Sequence, residues 1–355
     1  MMTRNFLMGA AAGLALVMTG CSKPAPLDYL PEAQGYLMLN GKTAKEQAGA
    51  ARFMKVLEKI SPEANTSTDA DKVYVAFDAA PGSQPSMYGV LTGKAGMADK
   101  VIAEAKKQGA VDATVDGEAA VTMKQGDQTA YLVKVGEDAV VAAGSEADFR
   151  KMAATAKRKN PAAVNSALFG KTTGKAGSHV LVATFNTGSL MQQVAPQLGL
   201  LAMINPKGAE AAKKVERLTV TADWAEQPQM VVQMGMSETA DANDLASLIN
   251  MGLQQLLSQP NAAQMPDFVK NLKAETDEEG VKLEVIVPKE MGESFLAFVE
   301  ETAKSMPADP KARESMLMDL LQNMGGEPGA PQSAPDSTTP SDSMPTEPVT
   351  PAPPM

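Results

Sequence analysis

The alternation of apolar and polar positions between residues 28 and 306 predicts short strands interrupted by amphipathic helices. Short apolar runs predict strands in the first half at residues 36–39, 73–77 and 87–91, and alternating runs predict three more at 119–124, 129–135 and 139–143. Apolar residues spaced by three and four predict helices after the first strand, over about 98–108, and after the last strand. Thr43 and Glu46 form a predicted capping box for the first helix, and Ser145 and Asp148 begin the last one.

The second half shows a similar order of elements. Strands are predicted at residues 180–185, 218–224, 230–236, 273–276 and 281–287, with helical regions at 190–212, 245–257 and around 295–299. Short hairpin loops favour antiparallel pairing. The sequence therefore predicts an α+β fold of two similar modules, 28–168 and 178–306, each a mainly antiparallel sheet with packed helices. Residues 169–177 are interpreted as the linker; ordinary α+β alternation is the alternative to duplication.

The N-terminus has the pattern of a secretion signal. A single basic residue, Arg4, precedes an apolar run from Phe6 to Met18, and Thr19 and Gly20 follow it. This run is shorter than the about 20 apolar residues that a spanning helix needs, so residues 1–20 are predicted to be a cleavable signal peptide.

The residues Met18-Thr19-Gly20-Cys21 resemble the lipobox of bacterial lipoproteins. The resemblance implies cleavage before Cys21, a diacylglycerol on its sulfur, and an acyl chain such as palmitate on its amine. Residues 21–27 would then be a lipidated tether, and Ser22 after the cysteine implies the periplasmic side of the outer membrane in a Gram-negative host. The alternative is an ordinary signal peptide that ends in a chance cysteine. Leu30-Pro31 is similar to a short motif in uncharacterised secreted bacterial proteins and implies no activity.

The C-terminal end differs in composition from the body. Residues 325–355 contain nine prolines, four acidic residues and no lysine or arginine, which predicts a disordered tail. Before it, residues 307–324 are predicted to form an amphipathic helix, with Pro310 at its first turn and Leu317 and Leu320 on its apolar face. This helix either docks on the body or binds a partner.

Charge and composition exclude several classes of protein. The net charge is −10 and aromatic residues make up 4% of the chain, so the basic footprint and stacking surfaces of nucleic-acid-binding proteins are missing. The acidic body would be repelled by anionic membrane surfaces, and therefore attachment to the membrane is expected to depend on the lipid.

The residues that usually carry chemistry are scarce. His179 is the only histidine and Cys21 the only cysteine, so zinc sites and the common nucleophile–histidine arrangements have too few ligands or bases. A nucleophile elbow and a glycine-rich nucleotide-binding loop are also missing from the sequence. Carboxylates at 69 and 71 and at 277–279 lie in predicted loops, where solvated side chains are the usual explanation. We therefore expect no catalytic residue, cofactor or metal.

Methionine is unusually frequent, with 24 residues, and methionine fills irregular cores or lines adaptable binding surfaces. The segment 190–204 and the helix 307–324 are the predicted apolar contact surfaces, with candidates at Leu198, Leu201, Ile204, Leu317 and Leu320. The chain is thus predicted to be an envelope lipoprotein that binds or assembles with a partner without catalysis. The alternatives are a hydrolase of envelope polymers with an unrecognised carboxylate pair, and a carrier of an apolar ligand.

Overall fold

The computed structural model describes residues 24–60, 70–78, 86–125, 128–188, 199, 202–307 and 316 of the chain. The described strands are β1 (Gly35–Asn40), β2 (Ala70–Asp78), β3 (Ser86–Gly93), β4 (Val111–Val115), β5 (Glu118–Gln125), β6 (Gln128–Val135), β7 (Ala139–Ala143), β8 (Leu181–Asn186), β9 (Arg217–Trp224), β10 (Pro228–Gly235), β11 (Ala274–Asp277) and β12 (Gly280–Ile286). The described α-helices are α1 (Gly41–Glu46), α2 (Ala48–Ile60), α3 (Met97–Lys107), α4 (Glu146–Ala156), α5 (Ala167–Lys175), α6 (Pro206–Lys213), α7 (Thr239–Leu257), α8 (Asp267–Lys270) and α9 (Lys289–Ser305).

The described strands form one antiparallel sheet of twelve strands, in the order β11-β12-β10-β9-β8-β1-β2-β3-β7-β6-β5-β4. The α+β prediction with antiparallel pairing is confirmed, but the two halves share this one sheet and do not form one sheet each. They join where β1 pairs with β8, with Leu39 opposite Leu181 and Gly35 opposite Phe185. On either side of this pair, three successive strands lie side by side, and the third strand pairs with the last strand of its half.

The two faces of the sheet are covered by different helices. We call the face that carries Leu39, Leu181 and Ala222 the front face, and the face that carries Met38, Val182 and Thr221 the back face. Helices α4 and α5 cover the back face of the first half, where Phe149, Met152 and Phe169 join a core of tyrosines and valines from the strands. Helices α3 and α7 pack on the front face, against Val140 of the first half and Val281 of the second.

Local sequence signals explain several helix ends. The Ser145 side chain accepts a hydrogen bond from the Asp148 amide, so the predicted start of α4 is confirmed. The predicted capping box at Thr43 and Glu46 is wrong, because α1 begins earlier. Asn40, the last residue of β1, is its N-cap and accepts a hydrogen bond from the Thr43 amide at 3.2 Å.

The segment 169–177, predicted as a linker, overlaps helix α5. Phe169 of this helix lies in the core, with its ring centroid 5.2 Å from that of Tyr36 in β1 and 6.0 Å from that of Tyr74 in β2. The described residues up to Lys304 form one compact unit, and the segment therefore packs as part of the body. The predicted tail at 325–355 lies outside the described residues.

Candidate ligand-binding groove

An apolar groove lies on the front face, and its floor is one row of residues across five strands. Strand register places these five side chains in line: Leu39 of β1, Leu181 of β8, Ala222 of β9, Met230 of β10 and Val285 of β12. All five are apolar, and paired residues in an antiparallel sheet point to the same face. The groove has a volume of about 450 Å³.

Helix α2 and an aromatic cluster form the walls of the groove. Ala50, Phe53 and Met54, spaced by three and four positions, present one side of α2 to the cavity. The Phe53 ring lies 5.9 Å from the Trp224 ring, and Phe295 of α9 lies 6.2 Å from both, centroid to centroid. The groove is therefore apolar on its floor and on its sides.

Helix α2 approaches β9 closely because Gly49 has no side chain. A Cβ atom at this position would lie 2.1 Å from Cδ1 of Trp224. The Gly49 amide also donates a hydrogen bond of 3.1 Å to the Ala225 carbonyl, just after β9. The first half thus supplies one wall of a groove whose floor lies mostly in the second half.

A polar network holds the end of β9, next to the groove. Asp223, at the end of β9, accepts hydrogen bonds from the Val180 amide at 3.0 Å and from Nε2 of Gln47 at 2.8 Å through Oδ1. Its Oδ2 lies 2.5 Å from Nδ1 of His179. The side-chain oxygen of Gln47 accepts a hydrogen bond from the Trp224 amide at 2.6 Å. The junction between α1 and α2 is thereby fixed to the end of β9.

The environment of Asp223 favours its charged form. Burial raises the pKa of this carboxyl group, but the hydrogen bonds from His179, Gln47 and the Val180 amide outweigh burial and lower the pKa below its ordinary value. Asp223 therefore stays ionised at neutral pH, whereas the groove beside it exposes almost no polar surface.

A second cavity, the polar basin, lies on the back face of the second half and has a volume of about 470 Å³. Its floor includes Thr219, Thr221 and Gln233, and its rim carries charged side chains from α5, β12 and the hairpin turn between β11 and β12. His179 lines this basin, while its partner Asp223 lines the groove. The Asp223 carboxylate itself lies on the basin side, because Asp223 alternates along β9 with Thr219 and Thr221 and contacts His179.

The carboxylates predicted to be solvated in a turn line this basin. Asp277 accepts hydrogen bonds from Nε2 of Gln233 at 3.0 Å and from the Glu279 amide at 2.8 Å. Glu279 pairs with Lys175 at 2.7 Å, and this hydrogen bond is the main reason that the pKa of Glu279 is lowered. Of the other predicted acidic loop, Asp71 lies in β2 and residue 69 lies outside the described residues.

The structure describes few of the predicted contact residues. Ile204 is 63% exposed, which agrees with a surface position. The remaining candidates lie outside the described residues: Cys21, Leu198, Leu201, Leu317 and Leu320. Within the described ranges, no group of three or more His, Cys, Asp or Glu side chains is placed to hold a metal ion. No helix in the described part of the chain is long and apolar enough to cross a membrane.

Sequence reasoning missed the groove, since its floor combines residues between positions 39 and 285 that meet only through strand register. A usable signal was present in Trp224, the single tryptophan, which follows Asp223 at the end of an alternating strand. His179 was expected to have no catalytic role, and its contact with Asp223 depends on the pairing of β8 with β9.

Comparisons with known proteins reveal only a distant likeness. No protein-family model and no curated protein sequence matches the chain. The chain is similar to two crystal forms of TP0453, a membrane-associated protein of Treponema pallidum. Crystal form III has 11% identity, covering 77% of this chain and 98% of that chain, and crystal form I has 14% identity, covering 78% and 98%. Both have a TM-score of 0.42, so the likeness is distant and has no bearing on either cavity.

Proposed function

We propose that this chain is a lipid-anchored protein of the bacterial envelope that binds an apolar ligand in the groove without catalysis. The observation that carries the proposal is the continuous apolar floor of five strands beneath the aromatic wall of α2 and Trp224. In this proposal Cys21 is the lipidated N-terminus, and a tether to residue 27 keeps the body at the periplasmic side of the outer membrane. The modules 28–168 and 178–306 then share one sheet, with the groove near their joint.

The size of the groove suits part of an alkyl chain. Small-molecule sites in proteins commonly have volumes of about 300–1,000 Å³, and the groove volume of about 450 Å³ lies in this range. Each methylene transferred from water to such a site contributes about 0.8 kcal/mol. The apolar carrier, one of the alternatives from the sequence, is therefore favoured over a protein-assembly module.

The hydrolase alternative is less well supported by the carboxylates of the polar basin. A glycoside hydrolase needs one carboxyl group with a raised pKa to protonate the leaving group. Lys175 has the opposite effect on Glu279, whose pKa is lowered. Asp277 is held by Gln233 and by the turn, which suits a structural role in the hairpin.

The single tryptophan makes the proposal directly testable, since Trp224 lines the groove. We expect an alkyl maltoside with a bromine on its chain to quench Trp224 fluorescence saturably, below its micellar concentration. Met230→Gln, on the groove floor, should weaken the binding by about tenfold, because a polar amide would replace an apolar contact.

Met87→Gln is the matched control. Met87 and Met230 are both exposed methionines on the front face, but Met87 lies in β3 of the other half and does not line the groove. Unsaturable quenching, or equal weakening by the two substitutions, would contradict binding in the groove.

A further inference from the structure

The floor of the polar basin carries hydrogen-bonding groups that have no partner among the described residues. Thr219, Thr221 and Gln233 line the basin and are 2%, 7% and 5% exposed. No described group forms a hydrogen bond with either threonine hydroxyl. Gln233 donates from Nε2 to Asp277 at 3.0 Å, and its side-chain oxygen receives no hydrogen bond from a described group. Buried polar groups in proteins nearly always have a partner, so these three groups favour a ligand that supplies donors and acceptors.

The cations that line the basin are already paired with carboxylates. The three pairs are Lys175 with Glu279 at 2.7 Å, Lys282 with Glu284 at 2.7 Å, and His179 with Asp223. An anionic ligand would have to displace one of these carboxylates and leave it without its partner. The basin is therefore unfavourable for a carboxylate or a phosphate group.

The acids of the hairpin turn do not favour a cationic ligand on the floor. Asp277 already accepts hydrogen bonds from Gln233 and from the Glu279 amide, and Glu278 is exposed. An ion pair in contact with water contributes little free energy, because the solvent screens it. The groups on the floor therefore fit an uncharged ligand better than an ion of either sign.

A sugar ring has the size and the groups that this floor requires. The basin volume of about 470 Å³ lies within the range of about 300–1,000 Å³ that is usual for small-molecule sites. A sugar hydroxyl donates and accepts, so it can pair with a threonine hydroxyl and can also donate to the Gln233 oxygen. Val231, which also lines the basin, offers an apolar contact for the C–H groups of the ring.

We infer that the polar basin binds an uncharged sugar, with ring hydroxyls hydrogen-bonded to Thr219, Thr221 and Gln233. This site is separate from the apolar groove, because the basin lies on the back face of the sheet and the groove on the front face. An alkyl chain in the groove cannot place its own head in the basin across the sheet. The ligand of the basin is therefore a free sugar and not the head of a lipid that is held in the groove.

The single histidine makes this inference directly testable, since His179 lines the basin. The probes are glucose, protonated glucosamine and glucuronate, which share one ring and differ in charge, all at one pH. We expect glucose to shift the NMR signals of the His179 ring saturably. The two charged sugars should bind at least about threefold more weakly, because they bring a charge beside pairs that are already complete.

Thr221→Val removes one hydroxyl from the floor and keeps the shape of the side chain. It should weaken glucose binding by about fivefold, because one hydrogen bond to the ligand is lost. Thr219→Val is a second variant with the same expected effect. Thr184→Val is the matched control, since the Thr184 hydroxyl is buried on the same face but does not line the basin. Trp224 fluorescence verifies that each variant is folded.

Several outcomes would overturn the inference without touching the proposed function. These are shifts that do not saturate with glucose, a charged sugar that binds as tightly as glucose, and equal weakening by Thr221→Val and Thr184→Val. Excess maltose should leave the quenching of Trp224 by the brominated maltoside unchanged, because the two sites are separate. Competition between them would identify the basin ligand as a lipid head and overturn its assignment as a free sugar.

Discussion

The back face of the sheet changes its chemistry where the two halves meet. One row of paired residues begins with Tyr131, Ala143, Tyr88, Ala76 and Tyr36 in the first half and continues with Thr184, Thr219, Gln233 and Lys282 in the second. The apolar part is covered by α4 and α5, while the polar part forms the floor and rim of the basin. The last helix of the second half, α9, packs near Trp224 on the front face.

The difference shows that strand order alone does not decide where helices pack. Both halves place their third strand beside their last strand, yet only the first half has an apolar back face. A helix gains stability by burying apolar surface, so it packs on the face whose residues exclude water. The threonines and glutamine of the second half leave that face available to polar ligands and charged side chains.

The largest expected effect comes from Phe169→Ala in α5. Phe169 is 5% exposed and fills the space between Tyr36 and Tyr74, so its loss should lower the free energy of unfolding by about 3–5 kcal/mol. Val231→Ala, on the same face of the second half, should cost about 1 kcal/mol. Urea denaturation measures both. A small effect at Phe169 would mean that 169–177 is a linker after all.

Gly49→Ala tests the contact between the first-half helix and the second-half strand. The added Cβ would meet the Trp224 ring at 2.1 Å, so we expect a loss of about 2 kcal/mol and a red shift of tryptophan fluorescence. Gly252→Ala in α7 is the control, since its Cβ meets nothing within 4 Å. It should stabilise the protein by about 0.5–1 kcal/mol through helix propensity. A neutral Gly49 variant would show that α2 does not need this close approach.

Thr184→Val probes the point where the row changes from apolar to polar. The Thr184 hydroxyl is buried without a hydrogen-bonding partner, so its removal should raise the free energy of unfolding by about 1 kcal/mol. Thr172→Val is the comparison, because the Thr172 hydroxyl donates to the Leu168 carbonyl at 3.0 Å. In thermal unfolding, Thr184→Val should have a higher melting temperature than the wild-type protein and Thr172→Val a lower one. Destabilisation by Thr184→Val would indicate a partner for that hydroxyl.

The smallest expected effect is on the stability of the protein in acid. The pKa of Asp223 is lower in the folded protein than its ordinary value of 3.8, so its contribution to stability is complete above that value. The contribution is lost as the pH falls below it and the carboxylate takes up a proton. Asp223→Asn should therefore be less stable than the wild-type protein at neutral pH. Its free energy of unfolding should also fall less steeply as the pH decreases, which urea denaturation at a series of pH values measures. An unchanged acid-unfolding curve would contradict the network around Asp223.

The sequence predicted individual strands and helices better than it predicted which strands pair with each other. The apolar run Val73–Phe77 located β2, the alternation of Leu218–Trp224 located β9, and Ser145 marked the start of α4. Strand β4 was missed, since it has only five residues and none of them is buried, although Val111, Ala113 and Val115 alternate with polar residues. Lys, Thr and Gly around Phe169 suggested a linker and concealed the buried side of α5.

The candidate sites could not be predicted for a different reason. Leu39, Leu181 and Val285 form one floor only because β1 pairs with β8 and β10 with β12. Periodicity reports which face of its own strand a residue occupies, and it carries no information on which strand lies alongside. For the same reason, the sequence does not predict that His179 contacts Asp223.

The pairing of β1 with β8 also has a consequence for the order in which the chain can fold. Strand β1 is made first, but its edge facing β8 has no partner until residues 181–186 have been synthesised and delivered. An unpaired apolar strand edge recruits other strands, and distant pairings form slowly. In the proposed envelope location, a chain exported from its N-terminus would cross the membrane with the centre of its sheet unfinished. Protection of residues 35–40 during that interval would then be a requirement of the proposed export.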